Sequence, residues 1–174
     1  MEVKAKTTYT KDLLMDFHWF SLKRKAVFWI VFTFYNLFVI GSTLFMFWVG
    51  AKLDSTYIMA LFIMAFLDTF VFVAYFILPH FQIKKSKNIG TELTYTFYEN
   101  EFNINSIGNF GSDYSTIKYI ALKKAIKTDD KIYLFVNKIN AFIVVINELN
   151  DDELGFIKEA LTNSLGIKKV KWKF

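Results

Sequence analysis

The chain has no cysteine among its 174 residues, which excludes disulfides and thiolate metal sites. Histidine is nearly as scarce. His18 and His80 are the full complement, and each adjoins the end of a long apolar run rather than a carboxylate-lined segment. They read as interfacial side chains, not as metal ligands or general bases. The turn Gly108-Asn109-Phe110-Gly111 has neither the lysine nor the following helix of a phosphate-binding loop. The acidic run Asp151-Asp152-Glu153 sits where a helix begins, and acids in a first turn answer the helix dipole. No metal, no cofactor and no catalytic group is therefore expected, and the chain reads as non-enzymatic.

What is abundant is apolar and aromatic. Hydrophobic residues make up 54% of the chain and aromatics 20%, with 21 phenylalanines, against about 45–50% apolar in a soluble domain. The excess lies in two runs. Residues 26–49 contain no charge, and as a helix they would extend roughly 36 Å, enough for a hydrocarbon core of about 30 Å. Residues 57–78 are equally apolar apart from Asp68, and Pro79, the single proline, is expected to close them because it cannot continue the hydrogen-bond ladder. The loop 50–56 between the runs is so short that the helices must be antiparallel neighbours. A signal peptide would have a shorter apolar region nearer the N-terminus.

The net charge of +5 suggests nucleic acid until the charges are located. Residues 92–166 hold seven basic and eleven acidic side chains, so the excess lies in flanking segments. Lys23, Arg24 and Lys25 precede the first run, Lys84, Lys85 and Lys87 follow the second, and the loop offers only Lys52 against Asp54. Positive flanks stay inside, so both termini are expected in the cytoplasm, with a lipid bilayer rather than nucleic acid as the partner. Trp29 and Trp48 sit near the two ends of the first run, where aromatic rings favour the interface. At membrane depth Asp68 should face protein rather than lipid. Counting ten residues from the cytoplasmic end of each run sets Asn36 and Asp68 level, so a hydrogen bond between them is expected. Helix pairing, an ion or proton pathway and a contact with another subunit all remain open uses for that pair.

The remaining segments divide around the runs. Residues 1–25 read as a short strand followed by a juxtamembrane amphipathic helix capped by Thr10, and residues 79–90 as a basic linker. From residue 91 to 166 the period changes to two, giving consecutive antiparallel strands, then one helix opened by an Asn150/Glu153 capping box and ended near Gly166. The tail 167–174 interleaves Lys168, Lys169, Lys171 and Lys173 with Val170, Trp172 and Phe174. It suits an edge strand, an anionic membrane surface or stacked bases. The fold class is thus α+β: a two-helix transmembrane hairpin with a small antiparallel β domain closed by a C-terminal helix, the outline of a pleckstrin-homology-like domain.

The order of parts resembles the YcxB-like family of bacterial membrane proteins. The resemblance rests on Tyr-Thr-Phe-Tyr-Glu at 95–99, the Ser-Thr-Ile-Lys segment at 115–118 and Lys-Ile-Tyr-Leu-Phe-Val-Asn-Lys-Ile-Asn-Ala-Phe-Ile-Val at 131–144. The chain departs from the family pattern at Tyr119, where tryptophan is common, and at Val145-Ile146, where Pro-Lys is common. The resemblance implies a multi-pass protein of the bacterial cell membrane and carries no catalytic or ligand-binding residues across. Three functions are expected to compete. The first is a membrane scaffold or interaction module that binds an unknown protein partner, a lipid headgroup or another copy of itself. The others are an immunity protein against a secreted or membrane-active toxin, and a small transport or channel subunit that would need homo-oligomers.

Overall fold

The computed structural model describes residues 1–50, 54–108 and 111–172. Lys52, Asn109, Phe110, Lys173 and Phe174 lie outside the described residues. The chain divides into two compact units, Met1–Leu13 with Ser86–Phe174, and Leu14–Lys85. This division differs from the one read from the sequence, because the first strand belongs with the C-terminal strands rather than with its neighbours in the chain.

That strand, β1 (Val3–Thr8), buries every second residue, as a half-buried strand must when side chains alternate between faces. It pairs antiparallel with β2 (Glu92–Phe97), setting Val3 opposite Phe97 and Thr8 opposite Glu92. The ladder continues through β3 (Glu101–Gly108) and β4 (Gly111–Lys118), forming a four-stranded sheet in the order β1-β2-β3-β4. A single 3₁₀ turn, Tyr119–Ala121, then carries the chain into a second sheet. Its strands are β5 (Lys124–Lys127), β6 (Lys131–Phe135), β7 (Ala141–Val145) and β8 (Val170–Trp172), in the order β7-β6-β5-β8.

The two sheets meet at a side-chain seam. The outward N–H of Val145 donates to Thr7 Oγ1 at 2.9 Å and that of Ile143 to Tyr9 Oη at 3.4 Å. An edge strand of one sheet thus has its spare donors satisfied by hydroxyls at the edge of the other, as buried amide groups require. A helix, Asp151–Leu165, covers the core with Ile157, Ala160, Leu161 and Leu165. Asn150 Oδ1 accepts from the Glu153 N–H and the Glu153 carboxylate accepts from the Asn150 N–H, both at 2.9 Å, and Gly166 ends the helix at φ 82°.

Three tyrosines in this unit are buried hard enough to resist ionisation. Burial lifts the Tyr119 phenol far above its ordinary 10.0, although its hydroxyl donates to the Tyr98 carbonyl at 2.7 Å. Burial, with the adjacent Tyr9 oxygen, also lifts Tyr95, and burial lifts Tyr9. A folded-state value above the unfolded one means stability is complete below pH 10 and falls as pH rises toward the folded value. Each tyrosine should then cost on the order of 1.4 kcal/mol per pH unit above about 10. The share of the tyrosinate absorbance that comes from these three is expected to appear together with the loss of far-ultraviolet dichroism, in one cooperative step. Gradual ionisation of all nine tyrosines with the dichroism intact would contradict this.

The second unit is helical. After Thr10, whose Oγ1 accepts from Leu13 N–H at 3.1 Å, come α1 (Lys11–Lys23), a break at Arg24-Lys25, and α2 (Ala26–Trp48). Asp54 caps α3 (Ser55–Phe72), its Oδ1 accepting from Tyr57 N–H at 2.8 Å. Contrary to the expectation from Pro79, the second helix does not end there. It widens into a π-turn over Val73–Ile77 and continues as α4 (Leu78–Lys84). Pro79 lies just past the π-turn, and that widening accommodates the α bond its missing N–H cannot make. The Tyr75 carbonyl, four residues before the proline and deprived of its usual donor, lies 3.0 Å from His18 Nε2, whose N–H donates to it. Both long helices are apolar and bare: α2 has no buried residue, and the segments Ala26–Trp48 and Tyr57–Lys84 are long and apolar enough to cross a membrane.

Candidate functional site

Alternation that sends Val3, Ala5, Tyr95, Phe97, Phe102 and Ile104 into the core turns the intervening residues of the first sheet outward. The strand register lines them up in rows. Lys4 stands opposite Thr96, Thr96 opposite Asn103 and Asn103 opposite Thr116; the next row runs Lys6, Thr94, Asn105, Tyr114. A shallow, open concavity of about 360 Å³ lies on this face, lined by Thr94, Thr96, Tyr98, Asn103, Asn105 and Tyr114, with Glu2 and Lys4 on the β1 side. Glu2 and Lys4 form an ion pair at 2.9 Å, and that carboxylate raises the Lys4 ammonium above its ordinary value.

Hydrogen bonding within the concavity is sparse. Thr116 Oγ1 donates to Asn103 Oδ1 at 2.8 Å. The side chains of Thr94, Thr96, Tyr98, Asn105 and Tyr114 make no hydrogen bond among the described residues, which leaves hydroxyl and amide groups directed at whatever lies on the sheet. Tyr114 is 63% exposed. Charge is balanced by the Glu2–Lys4 pair, so the surface suits a ligand with many hydrogen-bonding groups better than a concentrated anion. Among the described residues no group of three His, Asp or Glu side chains is placed to hold a metal ion.

The residues singled out in the hydrophobic runs lie on the helical unit. Asn36 Nδ2 donates to Asp68 Oδ1 at 3.3 Å and to the Phe32 carbonyl at 3.0 Å. Nearer the loop, Tyr57 Oη lies 2.8 Å from Ser42 Oγ and 3.0 Å from Thr43 Oγ1. Lys23 ends α1 and Arg24 and Lys25 occupy the break before α2, where Arg24 stacks on Phe20 at 5.6 Å and Lys25 on Tyr75 at 4.8 Å. Trp29 donates from Nε1 to the Leu22 carbonyl at 3.2 Å, so it bridges the break. Trp48 is 83% exposed at the far end. Lys84 closes α4, with Lys85 and Lys87 following it.

The tail enters the second sheet. Val170–Trp172 pairs parallel with β5, Ala125 opposite Val170 and Lys127 opposite Trp172, and the Ala125 N–H donates to the Lys169 carbonyl at 3.0 Å. Val170 and Trp172 pack partly against the core, while Lys168, Lys169 and Lys171 are exposed.

No family model, curated protein or solved structure matches the chain. The geometry must therefore carry the functional reading. It adds a surface that periodicity had passed over. Thr94, Thr96, Asn103, Asn105 and Tyr114 are the polar halves of alternating strands, and alternation uses them only to find the core. Their signal was compositional: hydroxyl, amide and phenol groups where solvent-facing strands more often carry Lys and Glu.

Proposed function

We propose that the protein is an integral membrane protein whose two apolar helices anchor a pleckstrin-homology-like domain at the cytoplasmic surface, where the domain binds a protein partner without catalysing a reaction. Support for the anchor comes from β1 and β2. They are neighbours in one sheet although the whole hairpin separates them in sequence, and Tyr9 and Gly90 are hydrogen-bonded at 2.8 Å. A chain that leaves and rejoins the same sheet must cross a bilayer an even number of times. The basic flanks favour the cytoplasm as that side. Support for a pleckstrin-homology-like, YcxB-like reading comes from four antiparallel strands in one sheet, three antiparallel strands in a second to which β8 adds in parallel, and a helix over the core.

The observation that carries binding is the concave face of the first sheet. Tyr98 and Tyr114 supply rigid rings and Asn103 and Asn105 adaptable hydrogen bonds, a pairing that antibody binding loops also use to recognise proteins, and tyrosine is enriched where binding energy concentrates. Photo-crosslinking from position 116 of the full-length protein in its own membranes is the test. One protein adduct is expected, reduced about tenfold or more by the double variant Tyr114→Ala, Asn105→Ala, as for the loss of a binding hot spot of about 2 kcal/mol. An adduct unchanged by that variant would place recognition elsewhere.

A further inference from the structure

We infer that the hairpin works as a pair of identical copies, joined inside the bilayer by Thr33 of one protomer and Asp68 of the other. This rests on the reading that the helices span a membrane. Asn36 has two amide hydrogens and spends both, on the Phe32 carbonyl and on Asp68 Oδ1. Asp68 keeps a second oxygen, Oδ2, with no hydrogen bond among the described residues. Two donors at similar depth are likewise unused, the Tyr35 and Thr33 hydroxyls; Thr33, one helical turn from Asn36 and so on the same face of α2, is the one set beside Asp68, and it bonds to nothing described, whereas Thr43 and Thr69 each donate to a backbone carbonyl four residues back at 2.7 and 2.8 Å. Thr33 is exposed and Asp68 half-buried. In water such leftovers are satisfied by solvent. In hydrocarbon they are not, and ionisable groups there face protein or a water-filled cavity.

The leftovers are self-complementary, and that selects a second copy as the partner. Two copies inserted with the same orientation are related by a two-fold axis along the membrane normal, which preserves depth. Groups can then meet only if one chain carries both at nearly the same level. Thr33 and Asn36 are about 4.5 Å apart along α2, and Asn36 is level with Asp68 because they share a hydrogen bond. The contact is reciprocal, Thr33 to Asp68 and Asp68 to Thr33, as an isologous interface requires. Ala65 and Thr69, one turn before and one residue after Asp68, are exposed and small, which allows close helix approach.

Because the chain has no cysteine, each introduced cysteine is unique. With Thr33→Cys and Asp68→Cys copies co-expressed in native membranes, copper-phenanthroline oxidation is expected to give a disulfide between the two variants, because the contact sets these two positions against each other. Phe38→Cys, on the far side of α2 from α3 and also exposed, should give none with the Asp68→Cys copy. In the cysteine-free protein, which keeps the Thr33 hydroxyl, Asp68→Leu is expected to lower the dimer fraction counted by stepwise photobleaching of a fluorescent fusion about tenfold, the effect of losing two interhelical hydrogen bonds, whereas Asp68→Asn keeps an acceptor oxygen and the dimer. No disulfide between the Thr33→Cys and Asp68→Cys copies, an equal one with Phe38→Cys in place of Thr33→Cys, an undiminished dimer with Asp68→Leu, or a cross-link to a species of different mass would each overturn the pairing. Labelling with an impermeant maleimide separates this from the spanning reading. A Thr33→Cys protein that reacts in sealed vesicles without detergent sinks the span. One that is protected yet never cross-linked to the Asp68→Cys copy sinks only the pair.

Discussion

A fragment beginning at residue 86 is expected not to fold, whereas residues 1–10 joined by a short Gly/Ser linker to residues 89–174 should fold without the hairpin. Removing β1 strips Val3 and Ala5, 1% and 4% exposed, from the core and ends a six-residue ladder along β2. It also takes away Thr7 Oγ1 and Tyr9 Oη, which receive the N–H groups of Val145 and Ile143 on the other sheet. At about 1 kcal/mol for each ladder bond, 1–3 for each donor left unsatisfied and 1.5–3 for the valine, the loss is roughly 10 kcal/mol. That equals the whole stability of an ordinary domain, about 5–15 kcal/mol. The linker can be short because Tyr9 and Gly90 already touch. Near-ultraviolet dichroism and a thermal melt of the two proteins decide the matter. A cooperative melt from the fragment lacking β1 would show that β1 is an accessory rather than a structural strand.

That prediction marks where the sequence stopped being legible. Local patterns were readable: alternation gave the strands from β2 to β7, the Asn150/Glu153 spacing gave the capping box, and uninterrupted apolar runs gave the two long helices. Pairing across the hairpin was not, because nothing in Val3–Thr8 names a partner more than eighty residues away; period two says only that one face is buried. The division into two sheets was hidden for a similar reason. It depends on the short turn at Tyr119–Ala121, where Tyr119 is fully buried and bonded to the Tyr98 carbonyl, a tertiary contact without a local signature. Pro79 misled for a definite cause: a proline can kink or locally widen a helix as well as end it, and here the chain widens into a π-turn and continues. Depth counting set Asn36 beside Asp68, and the structure holds them 3.3 Å apart. The unused Thr33 hydroxyl needed coordinates, since threonine in a helix ordinarily bonds its own backbone.

Phe102→Ala is expected to be the most damaging single substitution in the β unit, costing about 3–5 kcal/mol and lowering the melting temperature by roughly 15–30 °C. Phe102 is 0% exposed and sits at the junction of the aromatic core. Its ring stacks on Phe97 at 5.8 Å and 22° and on Tyr119 at 5.8 Å and 16°, and meets Phe142 of the second sheet edge-on at 6.0 Å and 77°. Register explains the convergence: Phe102 lies directly opposite Phe97 on β2 and Ile117 on β4. The rings around it are rigid and fill a cavity poorly. Tyr114→Ala, on the outward face of the same sheet, should change stability by no more than about 0.5 kcal/mol. Thermal melts of both variants of the full-length protein in mild detergent give the comparison. A Phe102→Ala protein within about 1 kcal/mol of wild type would mean the two sheets do not share one aromatic core. A Tyr114→Ala protein that melts as low as Phe102→Ala would make the outward face structural, and a loss of cross-linking there could no longer be read as a loss of recognition.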